Sequence, residues 1–215
     1  MATVGILGTG RMGVRLARAF AGVGHKVVLG SRDAARAREA VREIGHPNVV
    51  PGTYDAAVDA PVVLPAIFLR DGLIEALAPY AERLRGKLYV DITNPFNDDY
   101  SDFILPWGTS GAERIQEAIP GARVVGAFKN VWWAVLDEPD FAGIANDVFV
   151  VADDEAARRE FLSLVEGMPF RFVDAGRLAN ARTVERMTLF LGELGARYGI
   201  APRMGYRFLD GAALD

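Results

Sequence analysis

An α/β chain with a doubly wound, mostly parallel sheet is the fold class the sequence predicts, and three observations predict it. Short apolar runs alternate with stretches of 3.6-residue apolar spacing along most of the chain. The first thirty residues form one β-α-β unit, the connection from which parallel sheets are built. A length of 215 residues with 51% hydrophobic and 24% charged side chains is enough to bury a sizeable core.

The elements follow in order. Thr3–Leu7 is an apolar run ending in Gly8-Thr9-Gly10-Arg11-Met12-Gly13, after which Met12, Leu16, Ala17 and Phe20 recur at helical spacing. Gly24-His25 breaks that helix, and Lys26–Gly30, centred on Val27-Val28-Leu29, is the second strand. A charged helix is expected over about 33–44, then a loop through Pro47 and Pro51, a buried strand over 61–68 and a helix over 73–84. Residues 88–92 predict a strand, 110–119 a helix opened by a capping box of Ser110 and Glu113, and 122–128 a further strand. Two more strands, 147–152 and 170–173, flank a helix in which Ala157, Phe161, Leu164 and Val165 share a face. The last helix, 178–198, is the most apolar; Val184, Met187, Leu191, Leu194 and Tyr198 form a stripe to be buried against the body or a partner subunit. No repeat, low-complexity tract or linker divides the chain. Residues 1–150 are therefore expected to carry the sheet, with 151–215 a small strand-and-helix extension packed on it.

Composition excludes several classes. The 24 Lys+Arg and 28 Asp+Glu give a net charge of −4 with no single-sign block, so neither a nucleic-acid nor a membrane partner is expected. Zero cysteines rule out disulfides, thiolate metal sites and cysteine nucleophiles, and no metal site is expected. No uncharged run approaches the roughly 18 residues of a membrane span. The opening Met1-Ala2-Thr3-Val4-Gly5-Ile6-Leu7 has no basic region or cleavage pattern, so a cytoplasmic location is expected.

Gly8-x-Gly10-x-x-Gly13 gains its force from context, because it follows a strand, opens a helix and lies within a β-α-β unit. Gly8 makes the tight turn, Gly10 lets backbone N–H groups approach a pyrophosphate, and Gly13 lets helix and strand lie close. The fold is then Rossmann-like and the ligand a dinucleotide. The second strand ends Gly30-Ser31-Arg32, with Arg36 one helical turn beyond; a hydroxyl and guanidinium groups suit a 2′-phosphate, which makes the site NADP-selective. Asp33 reads as a helix N-cap in preference to a ribose-binding acid.

Relays for proton transfer are sparse. His25 and His46 read as solvated loop residues, and no tyrosine has a lysine four positions later. The final helix has no lysine, which counts against 3-hydroxyacid dehydrogenases. The long stretch 93–109 follows a strand's carboxyl end, where open α/β sheets bind ligands. It carries Phe96, Tyr100, Phe103 and Trp107, while Trp132-Trp133 follows the next strand; these rings suit a flat aromatic substrate, or equally packing in a core or dimer interface. Between 177 and 207, Arg177, Arg182, Arg186, Arg197, Arg203 and Arg207 outnumber Glu185 and Glu193, a surface for an acidic ligand or a solvated arginine-rich face.

Four stretches together resemble the coenzyme F-420-dependent NADP oxidoreductases, whose nucleotide domain is similar to the reductase domain of membrane ferric reductases. They are Ile6-Leu7-Gly8-Thr9-Gly10-Arg11-Met12-Gly13, Gly24-His25-Lys26-Val27-Val28-Leu29-Gly30-Ser31-Arg32, Val90-Asp91-Ile92-Thr93-Asn94-Pro95 and Phe172-Val173-Asp174-Ala175-Gly176-Arg177-Leu178. The resemblance implies NADP contacts from Gly8, Thr9, Gly10, Arg11, Met12, Gly13, Ser31, Arg32, Arg36, Ala66, Phe68 and Asn94. It implies a second pocket holding a deazaflavin, or a flavin in its place, near Pro95, Asn130, Trp132, Trp133 and Leu178. Hydride would pass directly between two rings, so positioning residues are implied and no catalytic nucleophile. The chain departs from the family pattern at Arg11, at Gly126-Ala127-Phe128-Lys129-Asn130, at Phe68 with Pro65 inside the strand, and at Trp132-Trp133. Two other readings stay open: an NADPH-dependent reductase of an imine or small carbonyl compound, with Asp91, Lys129 or Tyr100 as relay, and an NADPH-sensing protein without turnover. A homodimer is expected through the apolar last helix.

Overall fold

The computed structural model describes residues 1–209. Six strands, β1 (Thr3–Leu7), β2 (Lys26–Gly30), β3 (Val49–Gly52), β4 (Val62–Pro65), β5 (Leu88–Asp91) and β6 (Arg123–Gly126), form one parallel sheet in the order β3-β2-β1-β4-β5-β6. Seven α-helices connect and flank them: α1 (Arg11–Gly22), α2 (Ala34–Ile44), α3 (Tyr54–Val58), α4 (Leu73–Leu77), α5 (Gly111–Ala118), α6 (Glu155–Leu164) and α7 (Ala181–Tyr198). The order reverses between β1 and β4, which leaves a crevice at their carboxyl ends, as the sequence-predicted doubly wound, Rossmann-like fold requires.

Alternation along the central strands divides the core in two. Ile6, Leu64 and Val90 pack with Leu16, Phe20 and Phe161 on one face, while Leu7, Val63 and Tyr89 pack with Leu73, Leu77, Ile115 and Val184 on the other. Strands buried on both faces read as continuous apolar runs, and for that reason the sequence locates them well.

After β6 the chain makes a short hairpin of β7 (Asp140–Phe141) and β8 (Ile144–Ala145), then a parallel pair of β9 (Asp147–Val150) and β10 (Arg171–Asp174) around α6. A single antiparallel bridge between Gly126 and Val151 joins this pair to the edge of the main sheet. Phe128, Phe161, Phe170 and Phe172 meet edge to face with centroids 5.8–6.2 Å apart and fill the space beneath.

Several expectations are corrected. The loop expected through Pro47 and Pro51 contains β3, an edge strand on which Pro51 lies opposite Leu29; a missing N–H is tolerated at a sheet edge. Thr53 caps α3 by accepting from Ala56 N–H at 3.2 Å, a short helix the apolar pattern does not reveal. The helix expected over 73–84 stops at Leu77, where Ala78-Pro79-Tyr80 continues as a 3-10 turn because proline has no N–H to donate. The last helix starts at Ala181 after a 3-10 turn at Leu178–Asn180, and Tyr198, expected in its buried stripe, is 70% exposed. His25 is not solvated. It is buried, with Ala2 N–H donating to Nδ1 at 3.1 Å and Nε2 lying 2.7 Å from Leu164 O.

Candidate functional site at the switch point

The glycine loop is shaped by close approach. Gly8 has φ +114°, open to glycine and costly to others, and a Cβ there would lie 2.8 Å from Ala66 O. A Cβ on Gly13 would lie 2.0 Å from Gly8 O, so the first turn of α1 sits directly on the loop. Gly10 is the N-cap of α1, and a Cβ built on it meets nothing within 4 Å. The N-terminal N–H groups of α1 therefore face open space in front of Gly10, with no acidic residue in the first turn to compete for them. Thr9 and Met12 are half-buried beside it and Arg11 is exposed at the helix start.

Across the crevice, Ala66 N–H donates to Leu7 O at 2.7 Å, which carries β4 to the same edge. At the end of β2, Ser31 is buried and its hydroxyl accepts from Asp33 N–H at 3.1 Å. Asp33 caps α2, its carboxylate accepting from Ala35 N–H at 2.8 Å and Arg36 N–H at 3.4 Å. Arg32 and Arg36 are exposed, and the Arg32 guanidinium reaches the Tyr54 hydroxyl, whose pKa burial raises against the opposing pull of that cation. A cationic, donor-rich edge with its one acid turned into a helix cap can take a phosphate and has no carboxylate turned toward a ribose hydroxyl.

The second half of the edge lies beyond β5 and β6. Asn94 follows β5, and its Nδ2 donates to Lys129 O at 2.7 Å. Phe128 precedes that lysine with φ +56°, a left-handed geometry costing a non-glycine residue about 1–2 kcal/mol. Its ring is 1% exposed within the phenylalanine cluster, which holds the turn in place and directs Lys129 inward.

Lys129 is the residue whose situation sequence reasoning missed. It is fully buried, and its ammonium meets Asp91 Oδ2 at 2.7 Å, Glu185 Oε1 at 2.9 Å and the Thr93 carbonyl. Burial opposes the lysine's charge, but Asp91 and Glu185 outweigh it and hold its pKa above the ordinary lysine value. Burial pushes the Glu185 carboxyl up, against Lys129 and two N–H groups of α5, Gly111 at 2.9 Å and Ala112 at 3.1 Å. Five elements are thereby tied beneath the carboxyl ends of β5 and β6. Fully buried, paired with two carboxylates and bonded to the Thr93 carbonyl, Lys129 is poorly placed as a proton relay.

Other second-pocket expectations are redistributed. Asn130 is fully buried, donating to Asp147 O at 2.7 Å and accepting from Phe149 N–H at 3.1 Å, so its amide ties the loop to β9 and presents nothing to a ligand. Leu178 is a core residue, 2% exposed against Ala181 and Val184, and Pro95 is buried as well. Trp133 stacks against α1, with the Arg11 and Arg15 guanidinium carbons 5.5 and 4.8 Å from its ring centre; this places it on the nucleotide side. Trp132 is half-buried against α7 at Gly192.

The loop aromatics pack largely on one another. Phe96 pairs with Phe103 across an antiparallel bridge, Phe68 and Tyr100 meet edge to face with the Arg70 guanidinium carbon 4.4 and 4.5 Å from their ring centres, and Arg186 lies 3.8 Å from the Trp107 ring centre. The arginines of 177–207 are largely engaged within the chain: Arg182 with Glu113, Arg186 with Asp102, Arg197 with Glu193, Arg203 with Glu138 and Arg207 with Asp147. A broad surface for an acidic ligand is thus not formed there.

Among the described residues no helix is long and apolar enough to cross a membrane. Residues 3–95, the part that builds the cradle, match the family model described as NADP oxidoreductase, coenzyme F-420-dependent. The F-420-dependent NADP reductase of Methanothermobacter thermautotrophicus is 32% identical over 204 residues, 88% of this chain and 87% of that one. The rat metalloreductase STEAP3 is 31% identical over 190 residues, 87% of this chain but only 36% of its own length. A crystal structure from Arthrobacter sp. FB24, described as a candidate F-420-dependent NADP reductase, superposes with a TM-score of 0.83 at 28% identity, covering 94% of this chain and 96% of that one. Glycine cradle, Ser31-Arg32 edge and near end-to-end likeness agree, and the chain belongs to the coenzyme F-420-dependent NADP oxidoreductase family.

Proposed function

We propose that this protein exchanges a hydride between NADP(H) and coenzyme F-420. The observation that carries the reading is the open phosphate cradle at Gly10 joined to a cationic edge at Arg32 and Arg36, with Asp33 turned away into its helix cap. The residues fit the cofactor: helix N–H groups for a pyrophosphate, Ser31 and the two arginines for a 2′-phosphate, and Ala66, Phe68 and Asn94 along the crevice toward the second ring. Bound there, the nicotinamide and the deazaflavin supply the two-electron chemistry. The chain's part is to hold two rings at reacting distance, an entropic contribution that needs no acid or base. Trp132, Trp133 and Asn94 stand nearest that task. Residues 1–150 serve as the nucleotide half and 151–215 as the extension, of which 151–209 are described and pack on the acceptor side while 210–215 lie outside the described residues. The outer face of α7, where Phe190 is 59% and Ile200, just beyond its end, 52% exposed, is the surface we assign to a second copy of the chain in a cytoplasmic homodimer.

An anaerobic absorbance assay with NADPH or NADH, offering coenzyme F-420 and FMN separately, tests the reading. Bleaching of the deazaflavin with NADPH is the expected result. Binding of NADPH with reduction of neither acceptor would overturn it, and turnover of an imine or small carbonyl panel would replace it.

A further inference from the structure

Helix α3 lies directly on the sheet, because two strands leave out a side chain beneath it. A Cβ on Gly5 of β1 would lie 1.7 Å from Ala57 O, and one on Gly30 of β2 would lie 2.7 Å from Thr53 O and 3.0 Å from the Ala57 Cβ. Ala57 and Val58 are fully buried at that contact, and Thr53 caps the helix. The first helical residue, Tyr54, is therefore firmly placed; it is half-buried, with its ring packed on the core face that Leu7 and Leu73 line.

The same packing brings Tyr54 to the cationic edge. Strand β2 stands between β1 and β3, so Arg32 emerges between the glycine loop and the strand that leads to Tyr54. Ser31 N–H donates to Gly52 O at 3.0 Å, which keeps the two strand ends side by side, and the exposed Arg32 guanidinium reaches the Tyr54 hydroxyl. A free arginine side chain loses rotamer freedom when it settles on a phosphate, and a bond already made in the empty protein takes part of that loss out of the binding step. A carboxylate could also hold the guanidinium, but it would neutralise the charge and compete with phosphate for the same N–H groups. The two acids nearest in sequence are engaged elsewhere, Asp33 in the α2 cap and Asp55 with Tyr80 and Arg83. A phenol oxygen accepts one N–H and carries no charge, and burial holds the Tyr54 pKa above its ordinary value, so the hydroxyl stays neutral beside the cation.

We propose that Tyr54 is a positioning residue for NADP selectivity: its hydroxyl, seated on the sheet through α3, holds Arg32 by one edge of the guanidinium so that the remaining N–H groups meet the 2′-phosphate already oriented. The proposal rests on the reading of Arg32 as a phosphate ligand. Tyr54 acts on the nucleotide through the arginine.

The test uses full-length Tyr54→Phe, Arg32→Ala and the double variant. Phenylalanine keeps the ring on the core, and melting confirms the fold of each protein. Dissociation constants for NADPH and NADH are measured without acceptor. The wild type is expected to prefer NADPH, and Tyr54→Phe to raise the Kd for NADPH about fivefold while leaving that for NADH unchanged. With Arg32 already replaced, Tyr54→Phe changes the Kd for NADPH by less than about twofold. A selective wild type whose NADPH affinity survives Tyr54→Phe within about twofold would overturn the proposal and leave Arg32 in its role. An effect of Tyr54→Phe that is equal for NADH, as a purely structural role would give, or undiminished in the Arg32→Ala background, would overturn it as well. A wild type that binds the two nucleotides equally would overturn the reading of Arg32 and the proposal with it. The expected binding pattern in a protein that never reduces F-420 would sink the hydride-transfer reading and leave the role of Tyr54 standing.

Discussion

Gly10→Ala and Gly13→Ala make the same chemical change three residues apart in one loop, and the structure gives them opposite consequences. At Gly13 the new Cβ would lie 2.0 Å from Gly8 O and 3.3 Å from the Ala66 Cβ. A carbon–oxygen contact relaxes only near 3.2 Å, so α1 must retreat by about 1 Å from the loop that abuts it, an overpacking cost of about 1–3 kcal/mol. At this chain length that lowers Tm by about 3–10 °C. The helix N–H groups move with the helix, and NADPH affinity falls along with stability. At Gly10 the Cβ meets nothing within 4 Å, and φ −79° with ψ −176° suits alanine. The folded chain therefore accepts the change, and the restricted unfolded chain offsets the loss of a glycine N-cap, leaving Tm within about 2 °C. The methyl group nevertheless occupies the space in front of the helix N-terminus, and NADPH affinity is expected to fall by at least tenfold. Thermal melts paired with NADPH titrations decide the matter. Undiminished NADPH binding by Gly10→Ala, or an unshifted Tm for Gly13→Ala, would refute the reasoning.

Arg32→Ala removes one charge-assisted contact to a 2′-phosphate at an exposed position while Arg36 remains; a loss of about 1.5 kcal/mol raises the KM for NADPH about tenfold and leaves NADH unchanged, as initial rates with each nucleotide will show. Lys129→Met strands Asp91 and Glu185 side by side in the interior, so about 3–5 kcal/mol of stability is lost at neutral pH and part of it returns as the pH is lowered and a carboxylate takes up a proton. Melts at pH 7 and pH 5 that superpose would contradict this. Asp147 is fully buried; burial raises its pKa, but Arg171, Phe208 N–H and Arg207 prevail and hold the carboxyl below its ordinary range. Its contribution is complete above the unfolded value of about 3.9 and is lost as the pH falls through the lower folded value. Hydrogen exchange at Phe208, whose N–H donates to this carboxylate, is expected to accelerate only under those acid conditions, whereas Asp147→Asn brings the same acceleration at neutral pH.

What could be read from the chain is what neighbouring residues determine. The glycine turn, the Ser31-Arg32 edge, the Asp33 cap and the buried strands each depend on residues within a few positions of one another. The misread features depend on partners far away. His25 looks like a turn residue until Leu164 O and Ala2 N–H are brought to it, and the arginines after 177 look uncompensated until Glu113, Asp102 and Glu138 arrive from other elements. Asp91, Lys129 and Glu185 share no motif spacing, and only the crossing of α7 beneath β5 makes them one cluster. β3 was hidden for a different reason: Pro51 within it and Pro47 shortly before it are ordinary loop signals, and only the strand's place at the sheet edge makes Pro51 harmless.

The two ends of the crevice close over very different stretches of chain, and this bears on the order of assembly. The glycine cradle is finished by contacts among Leu7, Gly8, Gly30 and Ala66, all within the first third of the sequence. The strip that seats Asn94 and Trp132 waits for α7, through pairs separated by 94 residues from Asn94 to Thr188 and 56 from Lys129 to Glu185. Contacts of such separation form late, because a long loop must close before they are rewarded. A chain emerging from the ribosome therefore shapes its phosphate grip before the place where the rings meet, and damage to the final helix will abolish turnover before it abolishes nucleotide binding.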